Sequence, residues 1–299
     1  MAFEIKTKSI TEDTIYYSQA LHNLHSQVLD MNSLRKTWQQ QWVDIVREKL
    51  NLTHCTDSVH ILMIGAGNGY KDCQIVDYIA QKNPSVHCEV VEPDSNQMKS
   101  FREKASKITA LYPAISFEYH AKTYQEYRNA LQFEVDARRA PSFHLITCSH
   151  TLHYIDNWPR ALDEMFGLLK CNGLLAITQA TANGTFGRVV DMYRKQVNDK
   201  LDPDHHLTSD AVFNHLKEIG AHLERCPRSF KVDVTDIFDE SSEIGNMLLD
   251  FILQRKDVRS TVPRVVMDEM LRFMKNESEM YNRRSFCTEK EEDIILIKS

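Results

Sequence analysis

The chain has 299 residues, 42% of them hydrophobic and 26% charged, which is enough apolar material for a sizeable core and argues against extended disorder. Its formal net charge of −6 excludes a general attraction to nucleic acid or to an anionic membrane surface. The seven cysteines, at 55, 73, 88, 148, 171, 226 and 287, form no CxxC and no Cys/His cluster of zinc spacing, so neither a disulfide framework nor a metal site is read from them.

Residues 12–50 are expected to be helical: 18–29 contains no Gly or Pro, and Trp38, Trp42, Ile45 and Val46 recur at helical spacing. The apolar run Val59–Ile64 stops at Gly65 and is expected to be a buried parallel strand. Helices then alternate with strands: helix 72–81, strand Val86–Val91, helix 97–109, strand 115–119, helix 123–131, a loop at 136–141, strand 143–148, helix 159–169, a helix-ending turn at Cys171-Asn172-Gly173, and strand 174–179. This alternation predicts an α/β fold with a doubly wound, mostly parallel sheet. Beyond residue 182 the order changes. Helix 186–200, a polar break at 202–206, a helix capped by Thr208-Ser209-Asp210 and running to Gly220, short strands at 230–234 and 294–297, and a mainly helical stretch over 243–284 are expected. The N-terminus is charged and lacks an apolar signal core, and no apolar run reaches membrane-spanning length, so a cytoplasmic location without membrane association is expected.

The chemistry concentrates around Gly65-Ala66-Gly67-Asn68-Gly69. A strand entering GxGxG and then a helix permits a tight turn, close approach of backbone to a ligand, and unpaired N–H groups at the helix start. Alone, such a loop binds any of several nucleotides or only turns a corner. Glu92 ends the second strand, where a doubly wound fold brings it beside the first loop and where it can accept both ribose hydroxyls. The loop lacks the GxGxxG spacing of dinucleotide sites, which favours a ligand without a pyrophosphate.

With the strand, helix, glycine turn and strand of 143–177, these motifs resemble the class I S-adenosylmethionine-dependent methyltransferases. A closer resemblance, over nearly the whole chain, is to the histamine N-methyltransferase family. It is carried by Ile61-Leu62-Met63-Ile64-Gly65-Ala66-Gly67, Glu89-Val90-Val91-Glu92-Pro93 with Gln97, His120 with Thr123 and Tyr127, Leu152-His153-Tyr154-Ile155, and Leu248-Leu249-Asp250-Phe251. The resemblance implies a single Rossmann-like methyltransferase domain with a seven-stranded sheet. Residues 1–50 would form a helical substrate cap, 55–180 the cofactor-binding core, and 182–290 the substrate-side helices and late strands. S-adenosylmethionine would be held by Gly65, Gly67, Gly69, Glu92, Gln97, Thr123, Tyr124 and Ser149, with Gln97 and Tyr124 at the adenine end and Ser149 near the methionine.

The acceptor would be a small amine or imidazole compound, bound by Asp30, Tyr17, His150, His153, Tyr154, Phe251 and Lys290, with Phe186 a weaker candidate. Asp30 stands where the family has Glu, His150 where it has Gln, and Lys290 in the best register for a family Asn. Tyr17 and Tyr154 are kept, whereas Leu21 and Leu24 replace aromatic rings. Catalysis would rest on alignment, with His150 the only candidate catalytic side chain. A monomer is expected. Histamine, carnosine and histidine stay open as acceptors. A nicotinamide-dependent oxidoreductase and a catalytically inactive cofactor-binding protein are the readings from other classes.

Overall fold

The structure is a computed structural model that describes residues 3–5, 7–50, 52, 58–83, 85–134, 143–198, 207–219 and 222–298. The loop expected at 136–141, the polar break at 202–206, the helix end at Gly220 and Cys55 lie outside the described residues.

In chain order the elements begin with β1 (Phe3–Glu4), α1 (Thr14–Gln27), α2 (Met31–Lys49), β2 (Val59–Ile64), α3 (Asp72–Ala80), β3 (Val86–Val91), α4 (Ser95–Leu111), β4 (Ile115–His120), α5 (Tyr124–Glu134) and β5 (Phe143–Ser149). They continue with α6 (Trp158–Leu168), β6 (Leu169–Ala180), α7 (Thr185–Gln196), β7 (Val197–Asn198), α8 (Ser209–Glu218), β8 (His222–Asp233), α9 (Glu243–Leu253), α10 (Val258–Thr261), α11 (Arg264–Glu277), β9 (Glu279–Tyr281) and β10 (Arg284–Ile297). The main sheet follows the order β4-β3-β2-β5-β6-β10-β8, with β9 paired to β10. Each neighbouring pair from β4 through β6 is parallel. The chain steps outward from β2 through β3 to β4 and then returns to β5 on the other side, so the strand order reverses between β2 and β5. Such a switch point opens a crevice at the carboxyl ends of the strands.

Two compact units make up the chain. The larger holds Arg35–Gln179, Ser209–Cys226 and Glu292–Ser299; the other holds Met1–Leu34, Ala180–Thr208 and Pro227–Glu291. The core of the larger unit is built from β2, β3 and β5, whose nearly continuous apolar runs suit a sheet covered on both faces. Trp42, Ile45 and Val46 of α2 are buried in it, the face their spacing predicts. The other unit has its own core, in which Val28 packs with Val189, Leu248, Leu249, Val266, Met267, Met270 and Met274.

Three expectations are refined or corrected. The helical stretch over 12–50 resolves into two helices. Asp13 caps α1 by accepting the Tyr16 N–H at 3.0 Å, but Val28 turns extended and bridges Val232, and Asp30 takes a left-handed φ of 51°. The Asp30 carbonyl then accepts the Ser33 and Leu34 N–H groups that open α2. Secondly, Cys171-Asn172-Gly173 does not end a helix. α6 stops at Leu168 and β6 starts at once, with Asn172 left-handed inside the strand. A Cβ on Gly173 would lie 2.8 Å from the Lys170 carbonyl oxygen and 3.0 Å from that of Phe143, so backbone crowding at an irregularity between Phe143 and Leu145 explains the glycine. Finally, the late strands are longer than expected, and the end of the stretch expected to be mainly helical, at 279–281 and 284, is strand. In β10 the charged Glu289, Glu291 and Asp293 are themselves buried, so only the apolar end 294–297 shows as a hydrophobic run in the sequence.

Candidate active site

The residues expected to hold the cofactor all lie in the larger unit, at the carboxyl ends of β2, β3, β4 and β5. Gly65, Gly67 and Gly69 follow β2 directly and all take left-handed φ, of 59°, 54° and 71°. The turn is pinned to β3, because the Gly65 N–H donates to the Val91 carbonyl at 2.9 Å. At Gly65 a side chain is barred by contact as well as by φ, since its Cβ would sit 2.0 Å from the Thr151 Oγ1. Gly67 is different: a Cβ there meets nothing within 4 Å. That open space beside a half-buried loop is what a close-approaching ligand requires.

Glu92 is buried, and its two oxygens accept the N–H groups of Gly67 at 2.8 Å and Asp94 at 2.9 Å. Burial pushes its carboxyl above the ordinary range, and the Asp94 and Gly67 N–H groups oppose that shift. Asp94 in turn caps α4, accepting from Asn96 and Gln97, so Gln97 is fixed in the first turn of that helix and half-buried. Thr123 and Glu126 form a reciprocal cap on α5: the Thr123 N–H donates to Glu126 at 2.8 Å and the Glu126 N–H to the Thr123 hydroxyl at 3.2 Å. Thr123 is therefore occupied in holding Tyr124. The Tyr124 ring is 5% exposed, and its hydroxyl is buried with no hydrogen-bond partner among the described residues. Burial raises its phenol well above the ordinary value, so the group stays a neutral donor awaiting an acceptor.

Ser149 ends β5, and its hydroxyl accepts from the Lys71 ammonium at 3.1 Å. Lys71 also donates to the Thr178 hydroxyl at 2.9 Å and lies 4.6 Å from the Trp42 ring centroid. The Thr178 hydroxyl in turn donates a hydrogen bond to the fully buried Asp293 at 2.6 Å. Sequence reasoning missed Lys71, Thr178 and Asp293. Lys71 follows the glycine loop by two residues without any motif to mark it. Asp293 sits beside Glu291 and Glu292 and reads as part of a solvated charge run.

His150 follows Ser149, exposed and left-handed at φ 51°, with its N–H donating to the Thr178 carbonyl at 2.9 Å. A non-glycine residue in that conformation, at the carboxyl end of a parallel strand, is a mark of functional sites. His153 and Tyr154 lie in a short 3-10 turn with ring centroids 3.9 Å apart. These three belong to the larger unit.

The remaining acceptor candidates belong to the other unit. Tyr17 and Phe251 are brought together, their ring centroids 6.0 Å apart. Asp30 is exposed in the turn between the two N-terminal helices. Lys290 is exposed on β10, while its neighbours Glu289 and Glu291 are buried. Glu291 is held by Arg228 at 2.6 Å. Glu289 accepts the Phe186 N–H at 2.9 Å at the start of α7, and burial pushes its carboxyl up to about 8 against that hydrogen bond. No motif singled out Glu289.

The model of a methyltransferase domain matches residues 34–224. The chain belongs to that methyltransferase family. Histamine N-methyltransferase of Bos taurus is 27% identical to this methyltransferase over 69% of each chain, and that of Cavia porcellus is 24% identical over 86% of each. Carnosine N-methyltransferase 2 of Gallus gallus is 23% identical over 69% of this chain and 63% of its own. A solved structure of a putative methyltransferase from Bacillus halodurans superposes with a TM-score of 0.51 at 15% identity, covering 87% of this chain and 99% of that one. The methyltransferase is of class I and similar to the histamine N-methyltransferases, and S-adenosylmethionine is its cofactor. Its residues fit that group: Gly67 leaves room, Glu92 offers a carboxylate beside it, and Tyr124 holds an unmatched buried hydroxyl. Among the described residues no helix is long and apolar enough to cross a membrane.

Proposed function

We propose that this methyltransferase acts on a ring nitrogen of histamine or of a closely related imidazole amine. The observation that carries the reading is the similarity to histamine N-methyltransferases over 69–86% of the chain, joined to the cradle around Gly67 and Glu92. Bound S-adenosylmethionine supplies an electrophilic methyl on a sulfonium sulfur, and that sulfur keeps the bonding pair as the methyl passes to the acceptor.

The chain's own part is alignment and water exclusion. Glu92 would accept the ribose hydroxyls, held in place by the Gly67 and Asp94 N–H groups. Gln97 and Tyr124 would frame the adenine, Tyr124 being fixed by the cap on α5. Lys71 would answer the methionine carboxylate with its ammonium, and Ser149 would lie beside it. An imidazole is largely neutral at pH 7, so its lone pair is available without a strong base. His150 would accept the proton released from the methylated ring or hold the second ring nitrogen. Asp30 would bind the side-chain ammonium of the acceptor, and Tyr17, His153, Tyr154, Phe251 and Lys290 are the other proposed acceptor residues.

The chicken carnosine enzyme supports a second reading in which the acceptor is a larger imidazole compound. A methyl-transfer screen over histamine, carnosine, histidine and simple biogenic amines, with labelled S-adenosylmethionine, tests both. Transfer to histamine at the highest kcat/KM is expected. Transfer only to carnosine selects the second reading, and no transfer to any imidazole compound defeats both.

A further inference from the structure

On the face of the sheet shared by β3 and β4, two carboxylates stand opposite one another. Glu89 and Glu118 are direct partners in the parallel register of these strands. Like charges so placed repel and destabilise the strand pair, and a cation between them would offset the repulsion. The nearest candidate is His120, two residues beyond Glu118 on the same face. Its Nε2 lies 3.4 Å from one Glu89 oxygen and 3.5 Å from one Glu118 oxygen. Yet that Nε2 is buried and has no hydrogen-bond partner among the described residues, so neither contact has the geometry of an N–H donating to a carboxylate.

The spacing suits a third body between the three groups. Donors around a tetrahedral zinc, at bonds of about 2.1 Å, stand about 3.4 Å apart. The surroundings match a built site. The Tyr127 hydroxyl donates to Glu89 at 2.7 Å, fixing that carboxylate from behind, and Glu89 and His120 are both largely buried while Glu118 is open to solvent. His87 stands next in the row, its Nδ1 engaged with the Ser116 hydroxyl at 2.9 Å and its Nε2 3.9 Å from the second Glu118 oxygen.

We propose that Glu89, Glu118 and His120 form a binding site for zinc or a similar divalent first-row cation, with His87 beside it and the open position toward solvent. One imidazole and two carboxylates suit such a cation better than calcium, which prefers oxygen alone. The site is apart from the methyl-transfer chemistry but touches the cofactor loop through the backbone: the His120 carbonyl accepts the Glu92 N–H at 3.1 Å. Spacing along the chain gives no hint of it, because the ligands come from two strands and meet only when these pair.

Full-length protein, stripped with a chelator, would be titrated with Zn2+ by calorimetry and with Co2+ by visible absorption. One Zn2+ per chain is expected, with Co2+ showing d–d bands and no thiolate charge-transfer band. Glu118→Gln and Glu89→Gln should each weaken Zn2+ at least tenfold. Glu118→Gln is at an exposed position, and its circular dichroism should match the parent. Less than one equivalent bound, affinity unchanged in Glu118→Gln, or a thiolate band marking a cysteine site would each overturn the proposal.

Discussion

The carboxylate of Glu92 closes the glycine loop through the Gly67 N–H while remaining beside the space that Gly67 leaves open. Glu92→Gln keeps the shape and removes the charge that makes both hydrogen bonds strong. Charge-assisted bonds contribute about 1.5–3 kcal/mol, so S-adenosylhomocysteine should bind at least tenfold more weakly by calorimetry. Glu289 offers a pH test. Its carboxyl ionises near 4.5 when unfolded and near 8 in the folded chain. Between those values the native state holds the extra proton, so this contribution to stability is full below about 4.5 and is lost as the pH rises toward 8. Glu289→Gln should flatten that slope and raise Tm at pH 8 relative to the parent, with little gain at pH 5. At Asp30 the left-handed backbone separates charge from conformation. Asp30→Asn tolerates that φ, so it should raise KM for a cationic amine about tenfold while leaving Tm and cofactor affinity unchanged. Asp30→Ala should also lose about 1 kcal/mol of stability, because alanine pays the full steric penalty of the left-handed region. An unchanged KM in Asp30→Asn would remove Asp30 from the acceptor site.

Among the elements, α5 would link local capping to the proposed adenine contact of Tyr124. Thr123→Ala removes one side of its reciprocal cap, and losses of about 0.5–2 kcal/mol are usual for such changes. A lower Tm together with weaker S-adenosylhomocysteine binding is expected, since Tyr124 opens that helix; a lower Tm alone would confine Thr123 to structure. The same scale shows what was legible in the sequence. The strand, glycine turn and helix around Gly65 are contiguous, so their pattern survives in one dimension. The break at Val28–Asp30 was hidden because no Gly or Pro marks it; Val28 leaves the helix through a bridge to Val232, a tertiary partner. β8 and β10 were hidden because charged residues interrupt them: Glu224, Arg225, Arg228 and Lys231 break up β8, and β10 carries the unbroken charged run 289–293 although Glu289, Glu291 and Asp293 are buried. Lys71, Thr178 and Asp293 meet only across α3, β6 and β10, and Asp293 is buried where its neighbours in sequence suggest solvent.

For the molecule as a whole, a ligand that binds only the folded state adds stability in proportion to the logarithm of its saturation. S-adenosylhomocysteine at 100 times its Kd should contribute about 2.7 kcal/mol, seen as a Tm that climbs with concentration. The nicotinamide dinucleotide should give no such climb, because the loop reads GxGxG and lacks the GxGxxG spacing of dinucleotide sites. A climb with the dinucleotide alone would restore the oxidoreductase reading.

The three glycines of the loop are not equivalent in what they protect. Side chains at Gly65 and Gly69 would strike Thr151 and Phe101, so those positions guard the fold. Gly67 has open space for a side chain, so apart from its left-handed φ the constraint expected there is the ligand's. Asparagine accepts a left-handed φ, and Gly67→Asn would fill the cradle while the rest of the chain packs as before. A single codon change is thus expected to give a folded, cofactor-free variant, the matched blank for any assay in which methyl transfer must be told apart from binding elsewhere on the protein.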